Sequence, residues 1–210
     1  MVVALEVDRT RLQATQALAG AMGVAVRLLC TDAEALPFAN QSFDAVLLQD
    51  VLEHVFAPQL LLRESSRVLR RRGVLFLTTP NRWSPFNAVA DPHWGLPMVA
   101  LLPRTWVAGL TKARRIGGQT RAAVPTLVSL RRLRNWVRET GLEVSFANRS
   151  AARYICSEPR AALCSRLHLR LAAWATRAGV LPWLPRLVND RWGLFNWWLN
   201  PTWYLVARKP

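Results

Sequence analysis

Cysteine occurs only three times in the 210-residue chain, as Cys30, Cys156 and Cys164, and never in CxxC spacing. An odd, scattered set excludes a disulfide framework and a cysteine-based zinc site, and it fits a reducing cytoplasm. No apolar run approaches the roughly 18 residues that a spanning helix needs, because the run at 96–102 is closed by Pro103 and Arg104. A basic leader followed by an apolar stretch is not seen at the start either, so no secretory signal is expected. Acidic residues are scarce beyond residue 66, where five stand against 24 basic residues, whereas residues 1–66 carry eight against four Arg. Lysine is nearly missing, since Arg supplies 26 of the 28 basic side chains. No internal repeat or low-complexity tract is found.

What is present describes a folded protein. Hydrophobic residues make up 51% of the chain and its mean hydropathy is +0.10, which is enough apolar surface to offset the entropy of ordering. The length suits one domain, or one domain with an elaboration. A net charge of +15 sets up a field that favours phosphate-bearing or anionic-membrane partners.

Apolar runs and turn residues predict strands at 2–7, 24–30, 43–48 and 73–78, with helices at 11–20 and within 51–69. Leu12, Ala14, Leu18 and Ala19 supply an apolar stripe for the first helix. Strand–helix alternation at this spacing predicts right-handed βαβ units and a parallel sheet covered on both faces. Ligands bind such sheets outside the carboxyl ends of the strands, which gathers Glu6, Asp8, Asp32, Gln49, Asp50, Thr79, Pro80 and Asn81 along one rim. Regularity fails after Asn81. Residues 83–125 read as a long connection with short helices, 130–140 as a helix, 142–147 as a strand, 160–178 as a helix and 203–207 as a final strand.

Three segments, Thr31-Asp32-Ala33-Glu34-Ala35-Leu36-Pro37-Phe38, Ser42-Phe43-Asp44-Ala45-Val46 and Asp50-Val51-Leu52-Glu53-His54-Val55, are followed by the run from Arg67 to Asn81. In this order and at these distances they resemble the core of a class I S-adenosylmethionine-dependent methyltransferase of the small-molecule (type 11) group. The resemblance covers about residues 1–82 and extends to the last two strands. It implies S-adenosylmethionine as cofactor and a Rossmann-like α/β sheet. It also implies Glu6 at the ribose, Asp32 and the backbone of Ala33 at the adenine, and Gln49 and Asp50 at the methionine end. Charge-assisted hydrogen bonds from a carboxylate to ribose hydroxyls suit the first role. Asp8 is either a second cofactor contact or the N-cap of the first helix, and Asp32 could equally cap its own turn. Glu53 and His54 are expected on the first turn of a helix, where Glu53 meets the positive end of the dipole.

One departure stands out. The family's first strand and glycine-rich loop, which present free amides to the cofactor, have no counterpart, and Met1 falls where the second family strand begins. The expectation is an N-terminally truncated sheet with a gap between the strands at 2–7 and 43–48, and weak or no cofactor binding. The remaining chain divides into a lid and acceptor region at 83–128, core elements at 129–150, an Arg/Trp-rich insertion at 151–201 and the final strand at 202–210.

Methyl transfer from a sulfonium depends mainly on alignment, and a base is needed only for a protonated acceptor. His93, in Asp91-Pro92-His93-Trp94-Gly95, is the candidate catalytic base. Metal binding is not expected, because His54, His93 and His168 show no ligand spacing. Beyond residue 160, Trp174, Trp183, Trp192, Trp197, Trp198 and Trp203 lie among Arg166, Arg170, Arg177, Arg186 and Arg191. This mixture suits a membrane interface; packing against the sheet and single-stranded nucleic acid are the competing readings. The functional expectation is methyl transfer to a small or lipid-linked acceptor in the cytoplasm, with peripheral contact at the inner face of the membrane. A non-catalytic remnant or binding module, and a nucleic-acid methyltransferase or binding protein, are the alternatives.

Overall fold

The computed structural model describes residues 1–89, 91–93, 96–113, 125–162 and 166–210. Its strands are β1 (Val2–Glu6), β2 (Val26–Cys30), β3 (Phe43–Gln49), β4 (Leu69–Pro80), β5 (Glu143–Phe146) and β6 (Thr202–Arg208). Its helices are α1 (Arg9–Ala21), α2 (Pro58–Val68), α3 (Pro85–Val89), α4 (Arg104–Ala113), α5 (Leu130–Glu139), α6 (Asn148–Ser157), α7 (Pro159–Ala162), α8 (Arg166–Arg177) and α9 (Leu184–Leu187). A π-helical turn covers Phe195–Leu199.

The strands form two sheets. β1 and β2 pair in parallel, Val2 opposite Val26 and Glu6 opposite Cys30. The second sheet runs β3-β4-β6-β5, and β6 is antiparallel to both of its neighbours. The uniformly parallel, doubly covered sheet is thus corrected to a mixed one, because β6 returns along β4 without a crossover helix. Double cover also fails locally, since Leu47 in β3 is 68% exposed.

A single core fills the second sheet. α2 places Leu61, Leu62 and Val68 inward and α5 places Leu130, Leu133 and Val137 inward, at the spacings that align one helical face. They meet Leu75, Leu77, Trp203 and Leu205 from β4 and β6. Burial at this level contributes about 1.5–3 kcal/mol per large side chain. Gly73 lets β4 bend beside β3, because a Cβ there would stand 2.8 Å from the carbonyl oxygen of Arg70. The first sheet contrasts sharply: none of residues 1–30 is buried. Of the apolar stripe expected on α1, Leu12 and Ala19 are half-buried, whereas Ala14 and Leu18 stay exposed.

Asparagines anchor the carboxyl-terminal region. Asn81, at the end of β4, donates from Nδ2 to the carbonyls of Asn196, Trp197 and Asn200. Asn196 accepts at Oδ1 from Asn148 and Asn200, and donates to the carbonyls of Asn189 and Arg191. Trp203 donates its indole N–H to the carbonyl of Asn196 at 2.7 Å. Buried amides with every partner in place fix one arrangement of the chain. The segment from Asn189 to Asn200 is held on the carboxyl rim of β4.

Candidate active site

The rim begins on the first sheet. Glu6 closes β1 and its Oε1 accepts from the amides of Val7 and Asp8. Asp8 is the N-cap of α1, with Oδ1 accepting from Thr10 and Arg11. Those amide donors hold its carboxyl below the usual range. Asp32, just past β2, accepts the amide of Glu34 at 2.9 Å. This is the turn-capping geometry, and it leaves Oδ2 with no hydrogen bond among the described residues. Ala33 packs against the core.

On the second sheet Gln49 ends β3, exposed, opposite Thr78 of β4. Asp50 adopts φ +51°, a strained conformation for a residue with a Cβ. Its amide donates to Thr78 Oγ1 at 3.0 Å, and that hydroxyl donates back to Asp50 Oδ1 at 3.0 Å. β4 thereby locks the strained turn.

Glu53 and His54 do not lie on a helix. Pro58 occupies the first turn of α2, as its missing N–H and fixed φ favour, so residues 51–56 form turns before it. Glu53 points inward, 1% exposed. Oε2 accepts from Thr79 Oγ1 at 3.0 Å. Oε1 has no hydrogen bond among the described residues and stands 3.9 Å from Nε2 of His93. Burial pushes the Glu53 carboxyl up to about 7, since removing the anion from water favours the acid.

His93 sits between two carboxyls. Nδ1 is 3.7 Å from Asp91 Oδ1, whose carboxylate also accepts the His93 amide. Burial lowers the imidazole's affinity for a proton, with Asp91 and Asp50 acting in the opposite sense. The His54 ring packs edge-on at 5.2 Å. Glu53, His54 and His93 each offer one ligand atom within 4.8 Å of the others, a set able to hold a divalent cation. Histidine spacing alone could not reveal it, because a carboxylate completes it across 40 residues of chain. The side chain of His168, and Trp94 and Gly95, lie outside the described residues.

Tyr204, a residue that sequence reasoning missed, pairs with Thr78 across β4 and β6. Burial and the charge of Asp50 raise its phenol. Alternation along β6 carried the signal, since Trp203 and Leu205 are buried and Tyr204 faces the other side.

Two candidate half-sites result, one with Glu6 and Asp32 at the ends of β1 and β2 and one with Asp50, Glu53 and His93 beside Thr78 and Thr79 of β4. Carboxylate acceptors such as Glu6 and Asp32 would suit the ribose hydroxyls and exocyclic amine of S-adenosylmethionine.

Residues 1–77 match the family model described as a methyltransferase domain. The match takes in 77 of the 210 residues and supports the resemblance to the class I S-adenosylmethionine-dependent methyltransferases. It is similar to the ubiquinone biosynthesis O-methyltransferase of Parvibaculum lavamentivorans, 32% identical over 88 residues, 42% of this chain and 35% of that protein. The Bartonella quintana protein of the same name is 30% identical over 100 residues, 47% of this chain and 37% of that one. The match spans about a third of the length of these curated relatives. Among solved structures, the cyclase SpnF aligns with all of this chain and 66% of its own at TM-score 0.52 and 18% identity. A SAM-dependent methyltransferase from Thermotoga maritima aligns with all of this chain and 73% of its own at TM-score 0.52 and 16% identity. These two establish the likeness of fold.

Proposed function

We propose that the protein transfers a methyl group from S-adenosylmethionine to a hydroxyl of a small, lipid-linked acceptor. The observation that carries this reading is His93, flanked at 3.9 and 3.7 Å by Glu53 and Asp91 at the end of the sheet. When bound, S-adenosylmethionine supplies a methyl group already activated on a sulfonium. What the protein adds is alignment and a place for the acceptor's proton. His93, kept neutral by burial, takes that proton; Glu53 and Asp91 orient the ring and stabilise the imidazolium. The name of the curated relatives, O-methyltransferase, supports oxygen as the accepting atom.

The lipid-linked part rests on the surface. Trp83 lies 6.3 Å from Trp198 beside the rim, and Phe86, Met98, Trp197 and Leu199 nearby are 44–62% exposed. An exposed apolar face of this kind marks an interaction surface, and the net charge of +15 suits an anionic bilayer. No helix of the described residues is long and apolar enough to cross a membrane.

The test is formation of S-adenosylhomocysteine from S-adenosylmethionine with a panel of catechol and prenylated phenol acceptors. His93→Asn is expected to lower turnover by about 10²–10⁴-fold, with the largest wild-type rates for prenylated acceptors. Equal turnover in the variant removes His93 as base. A second reading, favoured by the 4.8 Å cluster, has Glu53, His54 and His93 holding a divalent cation that orients the acceptor oxygen. Calorimetric titration of the chelator-treated protein with Mg²⁺ and Mn²⁺ distinguishes the two.

A further inference from the structure

The two half-sites stand on different sheets, and hydrogen bonds through the loop after β2 connect them. Glu34, two residues beyond Asp32, reaches across to accept at Oε1 from the amides of Phe56 and Ala57, at 2.5 and 2.9 Å. These amides precede α2, whose N-cap residue Ala57 supplies no side-chain cap. A carboxylate from elsewhere in the chain thus satisfies the amides of the N-cap residue and of the residue before it. On the other side, the amide of Glu34 is held by Asp32. The chain of contacts therefore runs from Asp32, through Glu34, to the turn that carries Glu53 and His54. A second clamp follows, in which Glu64 accepts the amide of Leu36 and Arg67 donates to the carbonyls of Leu36 and Phe38.

A ligand spanning both half-sites gains from each only if their separation is already set; otherwise part of its binding free energy goes into ordering the joint. None of residues 1–30 is buried, so the loop after β2, through the packing of Ala33 and Leu36 and the hydrogen bonds of Glu34, sets that separation.

We propose that Glu34 is a positioning residue for the cofactor, holding the adenosine half-site at a fixed distance from the His54–Glu53 turn. This rests on the S-adenosylmethionine reading of the rim. The role makes a specific demand on fragments: adenosine touches one half-site and is indifferent to the joint, whereas S-adenosylhomocysteine spans it.

Ligand-observed NMR on the whole chain, with adenosine and S-adenosylhomocysteine as probes up to millimolar concentration, tests this. For Glu34→Ala, the affinity for S-adenosylhomocysteine is expected to fall at least tenfold toward that of adenosine, while adenosine binds as in the wild type. Glu34→Gln, whose side-chain carbonyl can still accept both amides, is expected to restore most of the difference. Should Glu34→Ala fail to fold, Glu34→Asp, one methylene too short to reach both amides, takes its place. Equal losses for both probes reduce Glu34 to general stability and overturn the proposal, as does an unchanged affinity for S-adenosylhomocysteine. Failure of both probes to bind the wild type overturns the cofactor reading itself, and the positioning role with it.

Discussion

Oε1 of Glu53 faces Nε2 of His93 at 3.9 Å inside a pocket where Glu53 is almost wholly withdrawn from water. The pair shares little solvent and two neighbouring carboxyls, Asp91 and Asp50. Its protonation state is coupled to folding as well as to chemistry.

The first prediction follows from linkage. The folded Glu53 carboxyl titrates near 7 against 4.5 for the ordinary group, so between those values the folded state holds the extra proton. Stability from this group is complete below about pH 4.5 and is lost as pH rises through about 7. The loss is on the order of 3 kcal/mol. Urea unfolding with a chelator present, from pH 5 to 8, should show the decline, and Glu53→Gln should flatten it. An equally steep decline in the variant would assign it elsewhere.

Asp32 supplies the second. If Asp32 holds the cofactor as proposed, Asp32→Ala should cost one charge-assisted hydrogen bond, roughly 1.5–3 kcal/mol or about tenfold or more in affinity. S-adenosylhomocysteine titration reads it directly. Unchanged affinity would leave Asp32 as the turn cap for Glu34 alone.

The third concerns Asn196, which is fully buried and hydrogen-bonded at both ends of its amide. Asn196→Ala strands the side-chain amides of Asn148 and Asn200, at about 1–3 kcal/mol for each donor left unsatisfied. Chemical denaturation should show at least 2 kcal/mol of destabilisation by that reckoning. Asn196→Asp should cost at least as much, because its second oxygen would face the carbonyls of Asn189 and Arg191 where the amide now donates.

Lipid contact supplies the fourth. Co-sedimentation with anionic vesicles should weaken with salt, each Arg near the surface contributing on the order of 1 kcal/mol within a Debye length of roughly 8 Å. Replacing Trp197 and Trp198 with Ala should reduce the binding that persists at high salt while leaving the salt slope unchanged. Binding to single-stranded RNA but not to vesicles at matched ionic strength would transfer the surface to nucleic acid.

Local chemistry made much of this fold legible. The alternation of β1, α1, β2 and β3 follows from short apolar runs broken by Gly, Asn and Ser, and Asp8 announces the start of α1 as a side chain able to cap it. Pro58 carried the information that α2 begins beyond Glu53 and His54, yet the apolar pattern from Val51 onward masked it. What escaped is non-local. Asn81 meets Asn200 across 119 residues, and Glu53 meets His93 across α2, β4 and α3. Sequence spacing holds no trace of either. The antiparallel return of β6 is likewise decided by pairing with β4 and β5 rather than by anything within its own seven residues.

The asparagine knot at the end of β4 has a consequence for timing. Because Asn81 and Asn196 order the segment carrying Trp197 and Trp198 as the chain folds, the conformational entropy of that backbone is largely spent before any partner arrives. A loop that had to order on contact would associate slowly and release readily. Here the indoles are presented in a standing arrangement, so docking should be limited by encounter rather than rearrangement.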